Sequence, residues 1–302
     1  MTKGFTAADV VDQSGRTYVV TGANTGLGFE TTKALASRGA RVLMGCRSET
    51  RALQAMEDIR SAIPSADLEF VELDQSDLSS VRAAAEQITG EPRIDVLINN
   101  AGIMVPPLEH TSDGFESQFG VNHIGTFALT VLLLDKLEET AGGRVVVTSS
   151  LAHKGAKIYF DDINAEHSYD ARARYGQSKL ANLLFMYELD RRLRSNGAKT
   201  TAVACHPGIA ETELFRTMPS WMKLVVPFVR PIFNSAAAGA WPTLLAATGP
   251  DVQGGGYYGP SKRGETAGPA VTVRSTSDAR SPDLARRLWD LSIEMTGIDP
   301  GI

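Results

Sequence analysis

Short apolar runs alternate with longer stretches of helical periodicity from residue 17 to about residue 250. The runs cover 17–21, 41–44, 68–73, 94–98, 144–148 and 200–205, and each is rich in Val, Ile or Leu without a clear polar alternation. Strands buried on both faces read this way. Between them, residues 26–38, 49–62, 77–88, 114–139 and 174–195 carry helical patterning. The punctuation agrees: Gly39 suits the C-terminal end of the first helix, Pro64 stops the second, and Asp77 can N-cap the third. Strand and helix in repeated alternation predict right-handed crossovers and a parallel sheet with helices on both faces. No compositional shift divides the stretch, so a single doubly wound α/β domain is expected for 1–302.

The tail is less regular. Residues 212–233 are apolar and interrupted by prolines, and 260–282 are rich in Gly, Ser, Thr and Pro and read as loop. Leu284, Leu288, Leu291 and Met295 then recur at helical spacing, predicting a last amphipathic helix over 282–296.

Composition narrows the function classes. Thirty Lys and Arg stand against 35 Asp and Glu, a formal charge of -5. That balance lacks the basic stripe a nucleic-acid partner requires and argues against adsorption to an anionic membrane. Cys46 and Cys205 are the two cysteines, too few for a disulfide framework or a zinc cage, so no metal site is expected and a reducing compartment is. The first 16 residues show no apolar signal region, and no run reaches the roughly 18–20 apolar residues a transmembrane segment needs. The expectation is a cytoplasmic protein.

The first strand runs into Thr21-Gly22-Ala23-Asn24-Thr25-Gly26-Leu27-Gly28 and then a helix. Glycines let the backbone turn sharply and bring N–H groups against an anion, and the helix N-terminus adds its positive end. The spacing, G-x-x-x-G-x-G, differs from the usual dinucleotide fingerprint, and a tight strand-to-helix connection alone also uses glycines. The second strand ends at Arg47 with no acidic residue at its tip, so a 2′-phosphate is a natural partner and NADP(H) is favoured, with NAD(H) kept open. Asp74, at the end of the third strand, is placed to accept from an adenine amino group or to cap the next helix. The fourth strand ends in Asn99-Asn100-Ala101-Gly102, at the carboxyl edge where open α/β sheets bind ligands.

Tyr175 and Lys179 stand four residues apart at the start of a predicted helix, on one face. A phenol ordinarily titrates near 10, and a neighbouring positive charge favours its ionised form, which makes such a pair a usable general acid/base. Ser149 and Ser150 end the fifth strand, where a hydroxyl can polarise a carbonyl oxygen. Asn122 falls mid-helix between Gly120 and Gly125, a poor helix position that signals a kink or a buried polar role.

These motifs together resemble the short-chain dehydrogenase/reductase family: TGANTGLG (21–28), NNAG (99–102), VNHIG (121–125), SS (149–150), YGQSK (175–179), and HPG with Thr212 (206–212), in the family's order over about residues 16–260. GCR after the second strand, SSLAHKG, YGQSKLAN and ARRLWDLS make the branch of retinol dehydrogenases and protochlorophyllide reductases the most similar. The resemblance implies a single Rossmann-type sheet of seven parallel strands, with 256–258 as the seventh. It implies that Tyr175 protonates a carbonyl oxygen, that Lys179 lowers the phenol's pKa and binds the nicotinamide ribose, and that Ser150 bonds the reacting oxygen. Ser150 is preferred to Ser149 because its 25-residue separation from Tyr175 matches this branch. Asn122 would hold a proton-relaying water. Gly22, Asn24, Thr25, Gly26, Leu27 and Gly28 would line the pyrophosphate, with Arg47, Asp74 and Gln75 on the adenosine side. Asn100, Ala101, Gly102, Pro207, Gly208, Ile209 and Thr212 would border the nicotinamide half.

The implied function is an NADP(H)-dependent oxidoreductase of lipophilic aldehydes, ketones or secondary alcohols. A C=C reductase and a non-catalytic nucleotide sensor remain alternatives, although a sensor has no need of the Tyr175/Lys179 pair. The apolar 212–233 stretch reads as a substrate lid, a subunit contact, a membrane-contact patch or plain core packing. A homodimer or homotetramer stays open.

Overall fold

The computed structural model describes residues 4–209 and 234–302, so the expectations for Thr212 and the rest of 212–233 fall outside the described residues. Seven parallel strands carry the fold: β1 (Thr17–Thr21), β2 (Arg41–Cys46), β3 (Asp67–Glu72), β4 (Val96–Asn99), β5 (Arg144–Thr148), β6 (Thr201–Cys205) and β7 (Tyr257–Lys262). Antiparallel β8 (Ala267–Thr272) follows, and the order is β3-β2-β1-β4-β5-β6-β7-β8. Strand order reverses between β1 and β4, which pair directly through Tyr18↔Val96 and Val20↔Ile98. A crevice opens at such a switch point beyond the strands' carboxyl ends.

The eighth strand corrects the seven-stranded expectation and the loop reading of 260–282. A short turn after Lys262 returns the chain along β7, with Tyr258 opposite Thr272 and Gly259 opposite Val271. Gly268 and Pro269 disguised it, since both disfavour an interior strand yet are tolerated at an edge.

The sheet's unbroken apolar runs serve two cores. Val19, Leu43, Leu97, Val145 and Ala202 face one side, while Tyr18, Val42, Val96, Val146 and Val203 face the other. On the second side lie α1 (Gly26–Ala36) and α2 (Glu49–Ala62), with α7 (Ala236–Gly239) and α8 (Trp241–Thr248) following later in the chain. On the first lie α3 (Leu78–Thr89), α4 (Ser117–Phe119), α5 (Gly125–Glu138) and α6 (Ala171–Ser195), with α9 (Pro282–Thr296) packed against α6. Helix α9 buries Ala285, Leu288, Trp289 and Ser292 and ends at Gly297 in the left-handed conformation.

Helices α4 and α5 are one continuous rod joined by a π-helical turn, Gly120–Ile124. The rod Ser117–Glu138 is long and apolar enough by composition to cross a bilayer, but 89% of that window is buried inside the fold, as in a core helix.

Candidate active site

The turn between β1 and α1 has the backbone its glycines predict. Gly22 and Gly26 sit at φ +66° and +56°, in the left-handed region where glycine avoids steric strain. Gly28 is required by proximity instead: a Cβ there would overlap the Gly22 carbonyl oxygen and lie 2.7 Å from Asn100 Nδ2. Helix α1 starts at Gly26, and the Thr25 side chain before it does not cap it. By contrast, α2, α3 and α6 open with Ser48, Asp77 and Asp170, each accepting from a first-turn backbone N–H. Asn24, Thr25, Gly26 and Leu27 line a cleft of about 1410 Å³. Uncapped first-turn N–H groups beside a cleft are the donor set a pyrophosphate fits.

At one end of the cleft Arg47 is three-quarters exposed, its Nη1 3.8 Å from Asp74 Oδ2. The other Asp74 oxygen accepts from Ser76 N at 2.9 Å and Ser76 Oγ at 2.6 Å. Asp74 is therefore fixed, while Arg47 is held only by a loose ion pair. Gln75 is buried and donates to Val121 O and Thr126 Oγ1, at 3.4 and 3.2 Å, tying the β3 tip to the π-helical rod. In the middle, Thr21 Oγ1 accepts from the N–H groups of Asn100 and Ala101 at 3.0 and 2.9 Å, and Asn100 Nδ2 donates to Thr21 O at 2.9 Å. The tips of β1 and β4 are sewn together at the switch point. Gly102 follows, where a Cβ would come within 3.2 Å of Lys179 Nζ.

Tyr175 and Lys179 lie on the second and third turns of α6, which Asp170 caps by accepting from Ala173 N at 2.7 Å. Both are buried at the other end of the cleft. Lys179 Nζ lies 5.6 Å from the Tyr175 ring centroid and donates to Thr148 O at 3.5 Å. The two adjacent serines have different tasks. Ser149 lines the cleft, but its Oγ donates to the Lys179 carbonyl at 2.8 Å. Ser150 Oγ accepts from Ala152 N at 3.2 Å, which leaves its own O–H to donate, although Ser150 is not among the residues lining the described cleft.

Asn122 sits in the π turn, where such irregularities often mark function, and its side chain is fully engaged. Oδ1 accepts from Ile103 N at 2.7 Å, and Nδ2 donates to Ile103 O and Ser178 Oγ, each at 2.9 Å. It therefore positions the loop after β4 and the helix carrying Lys179. Pro207, Gly208 and Ile209 do not line the described cleft. Gly208 N donates to His206 Nδ1 at 3.2 Å, and Ile209 N donates to Thr266 O at 3.1 Å, so these residues rest on the β7–β8 hairpin.

Several site-building residues were not singled out from sequence. His153 donates through Nδ1 to the Ser150 carbonyl at 2.6 Å and so braces that turn; burial holds its pKa below the usual histidine range. His206, also buried, is pushed down by burial and by its neighbours His153 and Lys154, while the Glu265 carboxylate 3.3 Å from its Nε2 favours the charged form. Thr21, Gln118 and Tyr169 act through main-chain groups. Thr21 is marked by ending an apolar run, but Gln118 and Tyr169 follow polar neighbours and carry no such signal in the sequence.

The arrangement joins a glycine turn at an uncapped helix start, a strand-tip crevice and a buried phenol–ammonium pair in one cleft. Its volume exceeds the roughly 300–1,000 Å³ of an ordinary small-molecule pocket, leaving room for a dinucleotide and a second reactant. The family model for short chain dehydrogenase matches residues 16–223, and the chain belongs to the short-chain dehydrogenase/reductase family. Retinol dehydrogenase 12 of Mus musculus is 42% identical over 287 residues, covering 94% of this chain and 87% of that protein. Retinol dehydrogenase 14 of Homo sapiens is 41% identical over 309 residues, with 94% and 87% covered. An uncharacterized protein from Mycobacterium paratuberculosis, known by its crystal structure, superposes with a TM-score of 0.83 at 41% identity, covering 99% of this chain and 100% of that one. Within its family the chain lies in the retinol dehydrogenase-like branch and is an NAD(P)-dependent oxidoreductase of the class that transfers hydride to or from an alcohol/carbonyl group.

Proposed function

We propose that this chain is an NADP(H)-dependent reductase of lipophilic aldehydes and ketones, reversible as an alcohol dehydrogenase, and that it works in the cytoplasm. The observation that carries the cofactor choice is the adenosine end of the cleft, where Arg47 stands exposed beside a fixed Asp74. A guanidinium there suits a 2′-phosphate, and the second-strand tip has no carboxylate of its own to repel one. Retinol, the alcohol in the relatives' names, is lipophilic, and the wall beyond Gly102 is apolar: Ile103, Met104, Val105 and Pro106. Buried, unpaired Cys46 and Cys205 agree with a reducing compartment.

When bound, the dinucleotide supplies or accepts the hydride at its nicotinamide ring. Tyr175 donates its phenolic proton to the substrate oxygen in reduction and takes it back in oxidation. Lys179 places a positive charge beside that phenol and holds the sugar next to the nicotinamide. Ser150 donates its free O–H to the oxygen on which negative charge builds, an interaction that strengthens in the transition state. Asn122 keeps Ile103 and the Ser178–Lys179 turn in register, and a water relay at this point would have to use its main chain.

The test is consumption of NADPH and, in parallel, of NADH over a panel of long-chain aldehydes, ketones and enones. The proposal expects turnover with NADPH and a clear preference for it. Equal or better use of NADH would overturn the cofactor choice, and silence across the panel with NADPH bound would overturn the substrate class.

A further inference from the structure

The wall formed by Ile103, Met104, Val105 and Pro106 belongs to the reaction end of the cleft. It starts at Gly102, packed against Lys179 Nζ. It ends at Pro106, whose carbonyl accepts from Tyr169 Oη at 2.7 Å, immediately before the helix that carries Tyr175. Its main chain is tied by three polar side chains. Asn122 holds both the N–H and the carbonyl of Ile103, Gln118 Oε1 accepts from Val105 N at 2.9 Å, and Tyr169 holds Pro106. Gln118 is fully buried and spends its two donors on Tyr169 Oη and Ala171 O, at 3.2 and 3.0 Å. Every polar atom of that side chain is thus committed to joining the wall to the start of α6.

Val105 lies at φ +53°. A β-branched residue adopts the left-handed region only when its surroundings enforce it, and such outliers gather at functional sites. The enforcing contact is visible: the one N–H that Val105 owns is the group Gln118 accepts from.

We propose that Gln118 is a selectivity-determining positioning residue: by holding Val105 in its strained conformation it keeps an apolar wall beside Tyr175 that favours long-chain lipophilic carbonyl substrates over small ones. The inference rests on the reductase reading above. It extends that reading to residues outside the glycine turn and the Tyr175/Lys179 pair.

The test compares wild type, Gln118→Met, Val105→Gly and the double variant with decanal and acetaldehyde. Gln118→Met removes the bond from Val105 N together with both donors toward the start of α6, and is expected to raise KM for decanal at least about tenfold. kcat and the KM for acetaldehyde should stay within about threefold. Glycine holds a positive φ without strain, so the effect of Gln118→Met should shrink in the Val105→Gly background. Gln118→Glu keeps the acceptor toward Val105 and, protonated, one donor toward Ala171 O; its preference should lie between those of wild type and Gln118→Met, and it serves where the Met variant does not fold. Amide exchange across 103–106, measured in the same proteins, needs no substrate and should accelerate in Gln118→Met. Equal kinetic changes for both aldehydes, independent effects in the double variant, or unchanged exchange would each overturn the proposal. A wild type that reduces neither aldehyde would instead overturn the reductase reading, while the exchange measurement still decides whether Gln118 holds the wall.

Discussion

The two ends of the cleft are built on opposite plans. The end proposed to take the adenosine offers backbone N–H groups and exposed side chains: an uncapped helix start after Thr25 and a loosely paired Arg47. The reaction end is buried and saturated with internal hydrogen bonds, in which Asn122, Gln118 and Ser149 are all committed to main-chain partners. Where binding alone is needed, the protein leaves donors open to a charged ligand. Where bonds are made and broken, it fixes positions in advance, because a group that stabilises developing charge works best when it need not reorganise.

That contrast can be broken most sharply at the phenol. Tyr175→Phe should lower kcat by about 10²–10⁴, the usual worth of a general acid, with little change in NADPH affinity. Near-normal turnover would remove the phenol from the reaction. Next in size, Ser150→Ala should cost kcat about 10²–10³ as a lost donor to the reacting oxygen. Ser149→Ala should cost about 1 kcal/mol of stability through the Lys179 carbonyl bond and leave kcat largely unchanged. Steady-state rates and denaturation curves on both variants would show whether these roles are reversed.

Stability should also depend on pH in a defined direction. His123 is fully buried among aromatic rings and held down to about 3, chiefly by burial. The unfolded chain protonates this imidazole from about pH 6.5 downward, so in between it binds more protons than the folded chain and stability falls on acidification. This histidine should cost about 1.4 kcal/mol per pH unit across that window. A midpoint of denaturation that stays level from about pH 6.5 to about pH 5 would contradict this. The smallest effect belongs to the open end: Arg47→Ala should weaken NADPH binding about tenfold and leave NADH nearly unchanged, as calorimetric titration of each would show.

The parts legible in the sequence are those whose information is local. β1, β5 and α2 fall where the runs and caps place them, and Asp77 caps α3 as expected. Asn122 between two glycines signalled an irregularity, and a π turn is what forms there. β8 was missed because glycine, proline and hydroxyl residues look alike in a loop and in an edge strand; only pairing with β7 distinguishes them. The wall was missed for a different reason. Tyr169 and Pro106 are 63 residues apart, and Gln118 and Val105 are 13 apart, so no window of sequence shows that they meet. Nor does sequence show the positive φ of Val105, a tertiary imposition on a residue that favours strands.

The most direct test of the account is the fate of the hydride. NADPH carrying deuterium at the transferring position, offered with a lipophilic enone, should place the label on the former carbonyl carbon and yield an allylic alcohol. Label on the β-carbon of a saturated ketone, or no transfer to either carbon, would contradict it.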